Sequence, residues 1–144
     1  MDSISKERRS WNMSRIRSKN TRPELLVRSI LHRSGYRFRL HARELPGRPD
    51  VVLPKWKTVV FVHGCFWHRH KGCRFAYSPK SQTAFWRKKF SENMKRDARK
   101  AGALASLGWT VVTVWECELA RPAELLERLQ KIRYQASNRA LSFR

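Results

Sequence analysis

Residues 50–65 read DVVLPKWKTVVFVHGC, and this stretch decides the fold. Asp50–Leu53 and Thr58–His63 are short β-branched runs, joined by Pro54-Lys55-Trp56-Lys57. That alternation of strand formers around a proline-containing joint predicts a β-hairpin. In such a hairpin Asp50, at the start of the first strand, and His63, at the end of the second, meet at one end. Further along, Trp109–Glu116 (WTVVTVWE) is a nearly continuous apolar strand, expected in the middle of a sheet covered on both faces. Tyr36–Leu40 alternates large apolar residues with arginines and predicts another strand.

Helices surround these strands. Thr21-Arg22-Pro23-Glu24 matches a capping box with proline in the first turn, followed by Leu25, Leu26, Ile30 and Leu31 at helical spacing. Gly35 can close that helix at its C′ position. Thr83–Leu107 is proline-free, rich in Lys and Arg, and stopped by Gly108. Pro122–Arg133 carries Leu125, Leu126 and Leu129 on one side. Helix, strands, helix, strand, helix indicates an α/β layered fold with a mixed sheet. Residues 21–134 form one domain, preceded by a basic arm over 1–20 and followed by a basic tail over 135–144, expected to fray.

The chain has 144 residues, 41% hydrophobic and 11% aromatic, so a globular domain is expected rather than a disordered basic tail. Thirty-two Lys+Arg face only 11 Asp+Glu, a formal charge of +21. Such self-repulsion is best explained by a polyanionic partner, with nucleic acid ahead of an anionic membrane surface. No apolar run approaches the ~18 residues of a spanning helix, and MDSISKERRSW has no secretory apolar core, so a cytoplasmic location is expected. Three cysteines make a poor disulfide framework and favour thiols or thiolate ligands.

The hairpin runs into FVHGCFWHRHKGC (61–73), which holds three of the five histidines and two of the three cysteines. Cys65, His70 and Cys73 would come from one loop and Cys117 from the end of a neighbouring strand, a Cys₃His set suited to structural zinc. The plain alternative is small buried hydrophobes beside a surface histidine. With His70 ligating, His68 is free to act as a base or to contact phosphate, and His63 stands beside it. Asp50 is a candidate Mg²⁺ ligand, since that ion needs only one or two protein carboxylates beside substrate phosphate. Phe66-Trp67 and Phe85-Trp86 lie among basic residues and read either as wedges between bases or as core. Arg15, Arg17 and Lys19 in the arm, with Arg48, Arg69, Lys88 and Lys89, are the expected DNA-backbone contacts.

Taken together, PGRPD (46–50), FVHGCFWH (61–68), the spacing to Cys73, FW (85–86), KRD (95–97) and GWTVVTVWEC (108–117) resemble the very-short-patch repair (Vsr) endonucleases. These are relatives of the restriction-endonuclease fold, and the resemblance extends from about Thr21 to about Leu119. It implies a restriction-endonuclease-like three-layer fold with a central mixed sheet and a structural zinc. It also implies a Mg²⁺-dependent, monomeric enzyme that nicks one strand of duplex DNA 5′ of the thymine in a T·G mismatch. Such mismatches arise by deamination of 5-methylcytosine, and a MutL-like mismatch-repair protein is an implied partner.

Carried over residue by residue, Asp50 is the metal carboxylate and His68 the general base. His63 is a phosphate or water ligand, Asp97 a supporting carboxylate and Glu24 a further acid near the metal. Cys65, His70, Cys73 and Cys117 match the zinc set, and Phe66, Trp67 and Trp86 the intercalating aromatics. Restriction-type folds usually carry an acid and a lysine where this chain has Val62 and His63, so Val62 can offer a metal only its backbone carbonyl. The competing readings are a non-catalytic zinc-stapled nucleic-acid-binding protein and a restriction-type nuclease that cuts perfect duplexes.

Overall fold

The computed structural model describes residues 20–142, with side chains described as far as residue 135. The N-terminal arm, with Arg15, Arg17 and Lys19, lies outside the described residues. Helix α1 (Arg22–Arg33) is followed by strands β1 (Arg39–Leu40), β2 (Val51–Leu53) and β3 (Thr58–His63). Helix α2 (Thr83–Ser106), strand β4 (Thr110–Trp115) and helix α3 (Pro122–Ser142) complete the order. The strands form one mixed sheet, β1-β2-β3-β4, antiparallel except for the β3–β4 pair, whose parallel crossover is made by α2. A 3₁₀ turn at Pro54–Trp56 and a left-handed Lys57 close the hairpin and pair Val51 with Val60 and Leu53 with Thr58.

Period-two alternation sends the hairpin's side chains into two cores. Val51, Leu53 and Val60 meet Val27 and Leu31 of α1 and Leu125 and Leu129 of α3 on one face. Val52, Val59 and Phe61 meet Leu104 of α2 on the other. Helices therefore cover both faces, and all of β2 is buried. Among the described residues no helix is long and apolar enough to cross a membrane.

Several local expectations change. β4 is an edge strand rather than a middle one, and only Val114 in it is fully buried. β3 lies inside the sheet, paired along its whole length with β4 and over Thr58–Val60 with β2. Of Tyr36–Leu40 only Arg39–Leu40 pairs as a strand; Tyr36 is instead a buried plug whose hydroxyl donates to the Leu129 carbonyl at 2.8 Å. In α1 the buried stripe is Glu24, Val27, Ile30 and Leu31, whereas Leu25 and Leu26 face solvent. The capping box is half formed: the Thr21 hydroxyl accepts from the Glu24 N–H, but the Glu24 carboxylate accepts from Asn20 N–H at 2.8 Å. Gly35 does end α1, at φ 92°, with Tyr36 N–H on the Leu31 carbonyl and Gly35 N–H on that of His32. Helix α3 continues past Arg133 to Ser142, since no Gly or Pro follows Pro122 to stop it.

Tyr36→Phe removes the hydroxyl bond to the Leu129 carbonyl, which with the bond from Arg133 to the Ser34 carbonyl ties the α1–β1 connection to α3. The expected cost is about 1 kcal/mol, or about 3 °C in Tm. Thermal unfolding of the two proteins checks it, and an unchanged Tm contradicts it.

Candidate active site and metal centre

The β2–β3 ladder stops at Val51 and Val60, and Pro49, just beyond it, has no N–H to add to it. The Asp50 carboxylate takes the next free donor instead, accepting from Val62 N–H at 2.7 Å. Burial pushes the Asp50 carboxyl up to about 6; the Val62 bond opposes this, and the Glu24 charge adds to it. Glu24 is itself buried in the first turn of α1. Its Oε2 gathers Asn20 N–H, the Arg28 guanidinium at 3.2 Å and the His41 ring at 3.3 Å. Glu24, His41 and Asp50 offer ligand atoms within 4.8 Å of one another. Two adjacent carboxylates in a desolvated corner are an electrostatic cost that a divalent cation removes, and hard oxygen donors fit Mg²⁺ or Mn²⁺. Sequence reasoning did not find His41. It sits at φ 45° in a turn after a two-residue strand, and no local pattern marks that position.

Beside this pair, His68 Nδ1 lies 2.7 Å from Asp97 Oδ2 on α2. The carboxylate accepts Nδ1–H, which leaves Nε2 unprotonated in the neutral ring. His63, at the end of β3, stacks on His68 with centroids 3.9 Å apart and planes within 6°. Burial first, then the His68 charge, holds His63 down to about 4, so it is neutral at pH 7. Desolvation alone would raise Asp97, but the His68 bond and charge outweigh it and hold the carboxyl below its usual range. Glu24, Asp50, Val62, His63, His68 and Asp97 line one open cleft of about 700 Å³, with exposed Arg48 among its walls.

The loop after β3 folds back on itself. His70 N–H reaches the Cys65 carbonyl and Cys73 N–H the His70 carbonyl, with Arg69 and Gly72 in left-handed conformations. This brings Cys65, His70, Cys73 and, from beyond β4, Cys117 to within 4.8 Å donor to donor. His70 Nδ1 is 3.7 Å from Cys65 Sγ and 3.4 Å from Cys117 Sγ, and its ring stacks on Trp115 at 4.3 Å. Three thiols and one imidazole fit tetrahedral zinc. Burial pushes the Cys65 thiol up to about 12 and Cys117 upward, whereas the Phe75 N–H lowers Cys73. Any thiophilic metal entering here displaces protons, so its affinity depends on pH.

Phe66 is the hub of an aromatic cluster. Its ring lies 5.0–5.5 Å from those of Tyr77, Trp67, Phe90 and Trp86. Phe66, Trp67 and Trp86 are half-buried, so the cluster reaches the surface rather than closing as core. Tyr77 and Phe90 join it unannounced by any aromatic pair in the sequence. Arg69, expected on the DNA backbone, is used inside the loop: it lies over Phe90 at 3.9 Å and donates to the carbonyls of Phe66, Ala76 and Tyr77. Lys88 and Lys89 stand on α2 beyond Trp86 and do not line the cleft.

The fold is that of a nuclease. The chain is similar to the solved catalytic domain of the homing endonuclease I-Bth0305I, with TM-score 0.58 and 21% identity over 81% of this chain and 98% of that one. Residues 1–74 match the family described as DNA mismatch endonuclease Vsr. The chain is 54% identical over 131 residues to the type II nicking enzyme V.XorIIP of Xanthomonas oryzae pv. oryzae, covering 91% of this chain and 96% of the relative. It is 43% identical over 114 residues to the DNA mismatch endonuclease Vsr of Escherichia coli K12, covering 79% and 72%. The protein belongs to the Vsr family of DNA endonucleases.

The raised Asp50 carboxyl has a measurable consequence in metal-free protein. The folded state keeps this proton up to pH about 6, whereas the unfolded chain loses it near 4. Stability from this group is therefore complete below pH 4 and lost as pH rises through 6. Asp50→Asn has no proton to lose and should exceed wild type by about 3 kcal/mol at pH 8, with the gap closing at pH 4. Urea unfolding in EDTA at both pH values checks this; a gap that does not vary with pH contradicts it.

Proposed function

We propose that this endonuclease nicks one strand of double-stranded DNA 5′ of the thymine in a T·G mismatch, using Mg²⁺, and so starts very-short-patch repair of deaminated 5-methylcytosine. The observation that carries the reading is the convergence of Glu24, Asp50 and the His68–Asp97 pair on one cleft, beside a half-buried aromatic cluster. Relatives named as a nicking enzyme and as a mismatch endonuclease support single-strand cleavage at a mismatch.

Asp50 and the Val62 carbonyl would hold the ion, with Glu24 beside them; when bound, it neutralises the scissile phosphate and acidifies its water. His68 accepts the proton of the attacking water at Nε2, and Asp97 keeps the ring oriented and stabilises the imidazolium. His63 remains neutral and packs flat against His68, so it adds no second positive charge as His68 becomes protonated. Phe66, Trp67 and Trp86 enter the stack beside the mismatch, where a poorly paired base costs least to displace. Cys65, His70, Cys73 and Cys117 hold zinc, which fixes the loop that carries both His68 and the wedge. The charge of +21 supplies DNA affinity. One strand is cut by one site, so a monomer suffices, and a MutL-like protein is the proposed partner.

End-labelled duplexes carrying T·G or C·G in a CTWGG context, incubated with Mg²⁺, test the reading. A nick 5′ of the mismatched T is expected, with His68→Ala slower in single turnover by about 10²–10⁴-fold. Equal cutting of both duplexes indicates a nuclease that reads perfect sites, and binding without cutting indicates a non-catalytic DNA-binding protein. Either result overturns the proposal.

Zinc has a separate expected outcome. Gently purified protein should carry one equivalent, Asp50→Ala should retain it, and Cys65→Ser should lose both metal and thermal stability. Metal analysis finding no zinc in stable, folded wild type contradicts the staple.

A further inference from the structure

We infer that Lys100 is the phosphate-binding cation of this site, gripping the DNA backbone at the ridge formed by His63, His68 and Asp97. The inference deepens the proposed nicking site and takes from that reading the identity of the anion as a DNA phosphodiester.

Two clefts flank the ridge. One is the cleft of Glu24 and Asp50, and the other is bounded by Thr113 and Trp115. Phe61, His63, His68, Asp97 and Lys100 line both, and Lys100 is the only lysine or arginine among these. Asp97 and Lys100 are three residues apart on α2 and share a face. Among the described residues no carboxylate lies within ion-pair distance of the Lys100 ammonium; its charge acts on Asp97 and His63 only from further off, while Asp97 Oδ2 meets His68 at 2.7 Å. The positive charge is left for a ligand.

The stem is fixed as well. Gly47, at φ 75° in the Pro46-Gly47-Arg48-Pro49-Asp50 turn, approaches so closely that a Cβ there would sit 2.6–2.9 Å from Cβ, Cγ and Cδ of Lys100. The same turn that delivers Asp50 thus clamps the Lys100 side chain, which lowers the entropy lost when the ammonium binds an anion. The cleft otherwise offers a phosphate Glu24, Asp50, Asp97 and Glu116, a neutral His63, and Arg48 exposed at its wall. An anionic backbone needs a cation at this ridge, and Lys100 is the one that packing holds there.

Lys100→Met keeps a stem against Gly47 and removes the charge, and Lys100→Arg restores it. Affinity for T·G duplex is measured in EDTA across a range of salt, together with single-turnover nicking of whichever duplex wild type cuts. For Lys100→Met the slope of log affinity against log salt should fall by about one, and nicking should slow by about tenfold or more. Lys100→Arg should keep the wild-type slope. A Lys100→Met protein that melts like wild type and keeps the wild-type slope overturns the assignment, whatever its nicking rate. If wild type nicks neither duplex, the proposed function fails, and the salt slope still decides Lys100.

Discussion

The hydrogen bond from Val62 N–H to the Asp50 carboxylate is the constraint on which the rest of the site depends. It lies just past the last β2–β3 pair, Val51 with Val60, where the Val62 N–H takes a side-chain acceptor in place of a backbone one. Once made, it fixes Asp50 against the end of β3, and the chain leaves that end as His63, Gly64 and the loop that carries Cys65, His70 and Cys73. The same burial that makes the bond strong makes the carboxylate expensive to ionise without a cation. Structure and chemistry therefore pull the same way: the fold presents a buried carboxylate whose charge a divalent cation would relieve, next to the His68–Asp97 pair.

Three donor clusters stand near this end of the sheet, and their chemistry separates them. Cys65, His70, Cys73 and Cys117 offer soft donors in a closed set, whereas Glu24 and Asp50 offer hard oxygens at an open cleft. Between them, His63, His68 and Asp97 also meet the geometric condition for a metal. However, His68 Nδ1 is held by Asp97 and the two rings stack face to face, an arrangement suited to moving a proton. Soft and hard donor sets can stand this close along the chain because they suit different metals and so do not compete.

Much of this was legible in the sequence because the signals are local. The hairpin follows from two β-branched runs around Pro54, and the cysteine and histidine spacing brings its own ligands together through loop turns at Arg69 and Gly72. What depends on distant packing was not legible. Leu25 and Leu26 fit a helical stripe as well as Val27 does, and only the position of the sheet decides that they face solvent. β4 reads as a central strand because half-cover on both faces produces the same apolar run as full burial. A positive charge in a sequence does not reveal that the Arg69 guanidinium also donates to the carbonyls of Phe66, Ala76 and Tyr77. His41 and Lys100 carry no motif at all; long-range packing sets His41 beside Glu24 and Asp50, and Lys100 against Gly47 in the cleft.

The most direct test of two metal centres with separate duties is anomalous scattering from crystals grown with Mn²⁺ and measured across the zinc and manganese absorption edges. Zinc should appear among Cys65, His70, Cys73 and Cys117, with manganese beside Asp50 and Glu24. Manganese bound instead by His63, His68 and Asp97, or a thiol cluster without zinc, would contradict the division of labour on which the proposed chemistry rests.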